Sequence, residues 1–166
     1  MKSNDSQREF GSMSDDDFVL EQDFDVAPSV LRAFLCDLNN YVALHPLIES
    51  IEALTSSDAL PRAKRYRVVD RIPLGPFKLR TAYTAALDPV GDNEVHGYAW
   101  QFPAIQLQTI YSLAATSFGT HLMERVRVRA PRLLRRFVVE QASRAHAETL
   151  SKMRILLEGA PGAQKT

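Results

Sequence analysis

From Ile48 to Arg129 apolar and polar side chains alternate with a period of two, which is the signature of half-buried strands. The alternation falls into the stretches Ile48–Ser56, Lys64–Ile72, Phe77–Leu87, Glu94–Phe102, Gln106–Thr116 and Thr120–Arg129. Between them lie Ser57-Asp58, Pro73-Leu74-Gly75-Pro76, Asp88 to Asn93, Pro103-Ala104 and Phe118-Gly119, all rich in turn formers. Connections this short join antiparallel neighbours, so the pattern predicts a meander. An earlier and partly alternating stretch, Phe18–Val26, adds one more strand. Pro28 then suits a helical first turn, and Val30, Leu31, Phe34, Leu35 and Leu38 share a face, predicting a helix over Val30–Leu38. A second short helix is expected over Asn39–Leu44, capped by Asn39 or Asn40 and stopped by Pro46.

After Pro131 the period changes again. Arg132–Glu158 contains no Gly or Pro and predicts one long helix. At about 100° per residue, Leu134, Val138, Ala142, Ala145, Thr149, Met153 and Leu156 form one stripe. Arg136, Glu140, Ser143, Arg154 and Glu158 occupy the opposite side. The small residues Ala142 and Ala145 at mid-stripe either leave room beneath the helix or allow it to pack closely on a sheet. The expected class is α+β, with a curved antiparallel sheet of about seven strands, a long C-terminal helix and two short helices after the first strand. One domain is expected over residues 18–158, between a flexible leader or tag remnant at 1–17 and a tail at 159–166. Gly11-Ser12-Met13 reads either as a cloning scar before a native Met13 or as part of a natural leader, so the origin of residues 1–12 stays open.

Strand parity assigns side chains to faces. The inward sets are Tyr66, Val68, Asp70 and Ile72; Phe77, Leu79, Thr81, Tyr83, Ala85 and Leu87; Leu107, Thr109, Tyr111 and Leu113; and Leu122, Glu124, Val126 and Val128. For Glu94–Phe102 bulk favours His96, Tyr98, Trp100 and Phe102, with Val95, Gly97 and Ala99 as the rival face. Asp70 and Glu124 therefore stand on otherwise apolar faces. A buried carboxylate must be paired, hydrogen-bonded or protonated. Each is either a structural link near a strand end or, together with a tyrosine, a group that orients a polar ligand or moves a proton. The aromatic residues are core filling or a ligand platform. His96 reads as a base, a core residue or, from its place near a turn, an outward one; His121 and His146 are expected to face solvent.

Charge narrows the classes. Apolar residues make up 45% and charged residues 24% of 166, which fits a globular chain with enough material for a sizeable core. A formal net charge of zero provides no global field to recruit nucleic acid. The local cluster Arg125, Arg127, Arg129, Arg132, Arg135 and Arg136 is either a solvated face or a contact for an acidic partner or membrane surface. Its last members crowd a helix N-terminus, where the dipole disfavours cations. The lone Cys36 excludes an intramolecular disulfide and reads as a small buried hydrophobe rather than a reactive thiol. The polar N-terminus does not resemble a secretory signal, and no stretch approaches the ~20 apolar residues of a membrane helix, so a cytoplasmic location is expected. No spacing suggests a metal site, a phosphate loop or a nucleophile elbow, and no cofactor is expected.

The element order, together with Phe24-Asp25-Val26-Ala27-Pro28-Ser29-Val30-Leu31-Arg32-Ala33-Phe34-Leu35-Cys36-Asp37 and the His45-Pro46 step, resembles the START-like or Bet v 1-like superfamily. This group, often called SRPBCC, includes polyketide cyclase-like proteins. The resemblance covers Phe18 to Leu157 and implies a helix-grip fold with a deep cavity between sheet and long helix. It implies binding of a small hydrophobic or amphipathic ligand (lipid, sterol or polyketide-like), as a carrier or sensor. The alternatives are a cyclase, aromatase or dehydratase-like enzyme using Asp70 or Glu124 with a tyrosine, and an interaction module with a filled core. Expected ligand-binding residues are Tyr66, Val68, Leu79, Tyr83, Tyr98, Trp100, Tyr111, Leu122, Val138, Ala142, Ala145 and Thr149. His45-Pro46 matches a position that ends the second helix in relatives, which implies a structural role. Ligand identity and oligomeric state stay open.

Overall fold

A computed structural model of the chain describes residues 17–55, 61–102 and 104–159. The expectations for the leader up to residue 16, for Ser56, the Ser57-Asp58 turn, Pro103 and the tail from residue 160 lie outside the described residues. The strands are β1 (Asp17–Phe24), β2 (Ile48–Leu54), β3 (Lys64–Leu74), β4 (Phe77–Val90), β5 (Glu94–Gln101), β6 (Ile105–Thr116) and β7 (Gly119–Arg129). They form one antiparallel seven-stranded sheet in the order β1-β7-β6-β5-β4-β3-β2. The helices are α1 (Pro28–Leu35) and α2 (Arg132–Glu158), with a 3-10 turn at Leu38–Tyr41. This is the helix-grip α+β architecture. No helix among the described residues is long and apolar enough to cross a membrane.

The order carries a consequence that local pattern cannot show. β1 and β2 are consecutive in sequence yet occupy opposite edges of the sheet. The chain between them, α1 and the 3-10 turn, must therefore cross the concave face, and it packs over β5, β6 and β7. Leu31 and Leu35 of α1 are fully buried there with Phe24, Leu122, Tyr111, Leu150 and Met153. A second cluster, Tyr66, Val68, Ala85 and Leu87, lies toward β3 and β4.

Several boundaries differ from the expectation for identifiable reasons. α1 starts at Pro28 and ends at Leu35, and Val30 faces solvent rather than the core. Leu38 belongs to the next element, because the Asp37 carboxylate accepts from the Asn39 N–H at 3.0 Å and caps the 3-10 turn. The cap is thus Asp37, not Asn39 or Asn40. Asp17 is ordered in β1 opposite Arg127. β4 runs on to Val90, beyond Leu87, and turns at Gly91 into β5, which starts at Glu94 as expected and ends at Gln101.

The inward face of β5 is also corrected. Val95, Gly97 and Ala99 stand opposite Tyr111, Thr109 and Leu107, and Val95 and Gly97 are buried. His96, Tyr98 and Trp100 project from the other face, where Tyr98 stacks on Trp100 with ring centroids 5.6 Å apart. Trp100 is 38% exposed, and Phe102 lies beyond the strand in solvent. Bulk misled because the aromatic rings find stacking partners outside, while small inner residues accommodate the Tyr111 ring across the strand.

Gly119, in the turn into β7, has φ +149°, and a Cβ there would stand 2.1 Å from the Phe24 carbonyl oxygen of β1. Thr120 beside it donates its hydroxyl to the Val26 carbonyl at 2.7 Å. Gly119→Ala should lower stability by about 3 kcal/mol in urea unfolding, from backbone strain and displacement of β1. Gly75→Ala, in an open hairpin turn with nothing within 4 Å, should cost about 1 kcal/mol. Equal losses would show that β1 does not close on this turn.

Candidate functional site

Between α2 and the concave face lies a cavity of about 670 Å³. Its walls are mainly apolar, with Leu107, Ala85, Leu87, Phe137, Val138 and Ala142 among them. The small residues at the middle of the α2 stripe therefore do leave room. Of the larger stripe residues Met153 is fully buried while Leu134 and Leu156 are exposed, and Leu150, outside the stripe, is buried. The cavity is shaped by what is missing from the side chains facing it, chiefly at Gly97, Ala99, Ala142 and Ala145.

The polar lining includes several buried titratable groups beside Thr81, Gln101, Thr109, Gln141 and Thr149. Glu124, on β7 between fully buried Leu122 and Val126, is 1% exposed. Its Oε1 lies 2.6 Å from Nδ1 of His146 on α2. Tyr111 is its cross-strand neighbour on β6, and the Tyr111 and Tyr41 hydroxyls face it in series. Asp70 on β3 is buried with the Tyr83 hydroxyl beside it. Asp70 Oδ1 and Glu124 Oε2 have no well-formed hydrogen bond among the described residues. His45 and His146 meet edge to face with centroids 5.9 Å apart, and Phe18 packs on the same imidazole from the other element. His45 accepts from the Leu47 N–H at 3.4 Å.

Electrostatics separates these groups. Burial pushes the Asp70 carboxyl up to about 6, although the Tyr83 hydroxyl and His146 favour its charged form. Burial pulls His45 down to about 3, aided by the charges of His146 and Lys152. Burial also opposes charge on His146, but the Glu124 carboxylate and hydrogen bond, with Asp70 behind them, outweigh it and raise the imidazole above its usual value. Burial raises the Tyr83 and Tyr111 phenols well above 10, so both hydroxyls keep their protons and can donate. Both carboxylates, Tyr41, Tyr83, Tyr111 and two histidines thus border one space, and the charges of Asp70 and Glu124 both act on His146.

The anticipated ligand residues divide. Leu79, Tyr83, Tyr111, Val138, Ala142, Ala145 and Thr149 line the cavity, as do Asp70 and Glu124. Tyr66, Val68 and Leu122 do not; they are core, and the Tyr66 hydroxyl reaches toward Asp37 at 3.4 Å. Tyr98 borders the cavity although its ring stacks on Trp100, and Trp100 does not line it. His146 does not face solvent: it lies one turn from both Ala142 and Thr149 on the buried stripe, a signal the helical period contains. His45 and Tyr41 also line the cavity, and only the crossing of the helical segment brings them there. Among the described residues no group of three or more His, Cys, Asp or Glu could hold a metal ion.

No family model matches the sequence, and no curated protein matches it. Solved structures do match the fold. The di-domain ARO/CYC StfQ from the steffimycin biosynthetic pathway superposes with TM-score 0.68 at 11% identity over 86% of this chain. This chain spans 50% of that protein's length. A START superfamily protein from Mycobacterium smegmatis matches with TM-score 0.63 at 14% identity, covering 86% of this chain and 95% of the other. The chain has the START/Bet v 1-like fold. The Zhui aromatase/cyclase from a Streptomyces species shares this fold, with TM-score 0.60 at 14% identity, covering 87% and 96% of the two chains. At these identities the START-like likeness concerns architecture alone.

Two outcomes test the electrostatics. A carboxyl raised from 3.8 to about 6 binds more protons folded than unfolded across that window, so stability falls as pH rises through it and the cost is complete above pH ~6. Asp70→Asn should therefore be more stable than the wild type by about 2–3 kcal/mol at pH 8 in urea unfolding, the gain vanishing near pH 3.5. A variant less stable at pH 8 would show Asp70 to be a structural link. In NMR titrations His146 should titrate above 6.5, and in Glu124→Gln below it, since burial then prevails. An unmoved titration would contradict the pairing.

Proposed function

We propose that this protein binds a small, largely apolar ligand with one polar end in the cavity beneath α2, as a carrier or sensor. The observation that supports this most is the contrast within the cavity: about 670 Å³ of mainly apolar space bordered by the buried carboxylates Asp70 and Glu124 with tyrosines and histidines. That volume falls in the range of small-molecule sites, about 300–1,000 Å³. Tyr83 and Tyr111 supply donors, while Asp70 Oδ1 and Glu124 Oε2 supply acceptors that the protein leaves without well-formed bonds. A hydroxyl, phenol or carbonyl on the ligand would complete them, and its apolar body would lie against Leu79, Leu107, Phe137 and Val138.

A second reading is favoured by the protonation of Asp70. A carboxyl titrating at about 6 is divided between acid and base near neutrality, the condition under which proton transfer to or from an enolisable carbonyl is most effective. With Tyr83 as donor to the developing oxyanion, Asp70 would serve a cyclase, aromatase or dehydratase-like enzyme. The START-like aromatase/cyclase structures named above are compatible with this reading through their shared architecture.

Native mass spectrometry of the gently purified protein, with extraction of what accompanies it, tests the binding reading. A stoichiometric apolar passenger is expected, as is uptake of an anilinonaphthalene sulfonate probe. Ala142→Phe, which projects a ring into the cavity, should weaken probe binding roughly tenfold or more, about 1.4 kcal/mol or more. A protein that carries nothing and takes up no probe contradicts the proposal.

A further inference from the structure

The cavity has an open end, marked by lining residues that are themselves exposed: Leu74 and Leu79 on the β3–β4 hairpin, Phe102 after β5 and Leu134 in the first turn of α2. Deeper lining residues such as Tyr111 and Thr149 are buried. Two further apolar side chains stand beside this opening without lining it. Phe77 at the hairpin tip is 73% exposed, and Leu133 in the first turn of α2 is 97% exposed; Phe102 itself is 90% exposed. Exposed bulky residues gathered at one end of a molecule mark an interaction surface.

Basic residues outnumber acidic ones around them. Residues 73–81, 100–102, 104–105 and 129–137, which form this end, contain Lys78, Arg80, Arg129, Arg132, Arg135 and Arg136 and no Asp or Glu. The whole chain has a formal net charge of zero, so positive charge is concentrated here. Arg80 and Arg136 engage Glu49 and Glu140 in exposed pairs, which exchange readily with other anions. The first turn of α2 carries cations and no acidic residue, against its own dipole. An external anionic surface would relieve that conflict.

We propose that this end of the molecule docks on an anionic lipid surface, with Phe77, Phe102 and Leu133 entering the acyl boundary and the surrounding Lys and Arg side chains meeting headgroups. Isolated side chains projecting from three separate tips find little complementary area on a folded protein, whereas each enters lipid independently. The cavity opens onto the same surface, so an apolar ligand would pass between bilayer and cavity without crossing water. The docking stands on the exposed residues and charge alone and does not require a particular ligand.

Cosedimentation with vesicles tests it. Binding to phosphatidylcholine vesicles containing about one quarter phosphatidylserine should exceed binding to phosphatidylcholine alone by about tenfold, and should fall as salt rises. The double variant Phe77→Glu, Leu133→Glu should lose about tenfold of the vesicle binding. Its circular dichroism and its uptake of the anilinonaphthalene sulfonate probe should match the wild type, because neither residue lines the cavity. Should that variant misfold, Lys78→Ala with Arg132→Ala should abolish the preference for anionic vesicles. Wild-type protein that binds neither vesicle, or variants that bind as the wild type does, would overturn the proposal. Retention on immobilised polyglutamate without vesicle binding would overturn it too, in favour of an acidic protein partner.

Discussion

The contact on which the interior depends is the buried pair between Glu124 of β7 and His146 of α2. A carboxylate 1% exposed among Leu122, Val126 and Leu20 costs several kcal/mol to desolvate. The imidazole offsets that cost only where α2 lies at one height and one rotation over the sheet. The pair therefore fixes the long helix above the cavity, where Ala142 and Ala145 by themselves would allow it to slide or settle. A buried pair of this kind is seldom the most stable solution, since apolar residues of similar volume do as well or better. On the proposed function, it serves as a polar anchor for the ligand inside an apolar space.

The topology makes that space. β1 and β2 lie at opposite edges, so α1 and the 3-10 turn are drawn across the sheet and fill one half of its concavity with Leu31, Leu35 and Tyr41. The other half lies mainly under α2, and there Ala85, Gly97 and Ala99 leave space among larger apolar residues such as Leu87 and Leu107. Core and cavity are thus two ends of one concave face, and Tyr41, Tyr111 and Glu124 mark the border between them. This division explains why Leu122 and Val68 are packed while Leu79 and Leu107 line the opening.

Much of this was legible in the chain. Alternation located every strand, and parity placed Asp70, Glu124, Tyr83 and Tyr111 on the concave face because those strands are strongly two-sided. β5 defeated the same rule: His96, Tyr98 and Trp100 are bulky, but a stack on the outer surface satisfies aromatic rings as well as a core does. His146 was hidden by its charge type, although its spacing from Ala142 and Thr149 places it on the buried stripe. His45 and Tyr41 lay beyond sequence reasoning because their place in the site depends on the route of the helical segment between opposite sheet edges, a non-local fact.

The central claim is that an apolar ligand lies beneath α2 with its polar end at the carboxylate cluster. Intermolecular nuclear Overhauser contacts between a bound amphipathic probe and the isotopically labelled protein test it most directly. Contacts from the polar end to the Tyr83 and His146 rings, with the apolar body near Leu107 and Phe137, are the expected result. Contacts confined to the outer Tyr98–Trp100 stack, or an apolar body against Leu31 and Leu35, would contradict it.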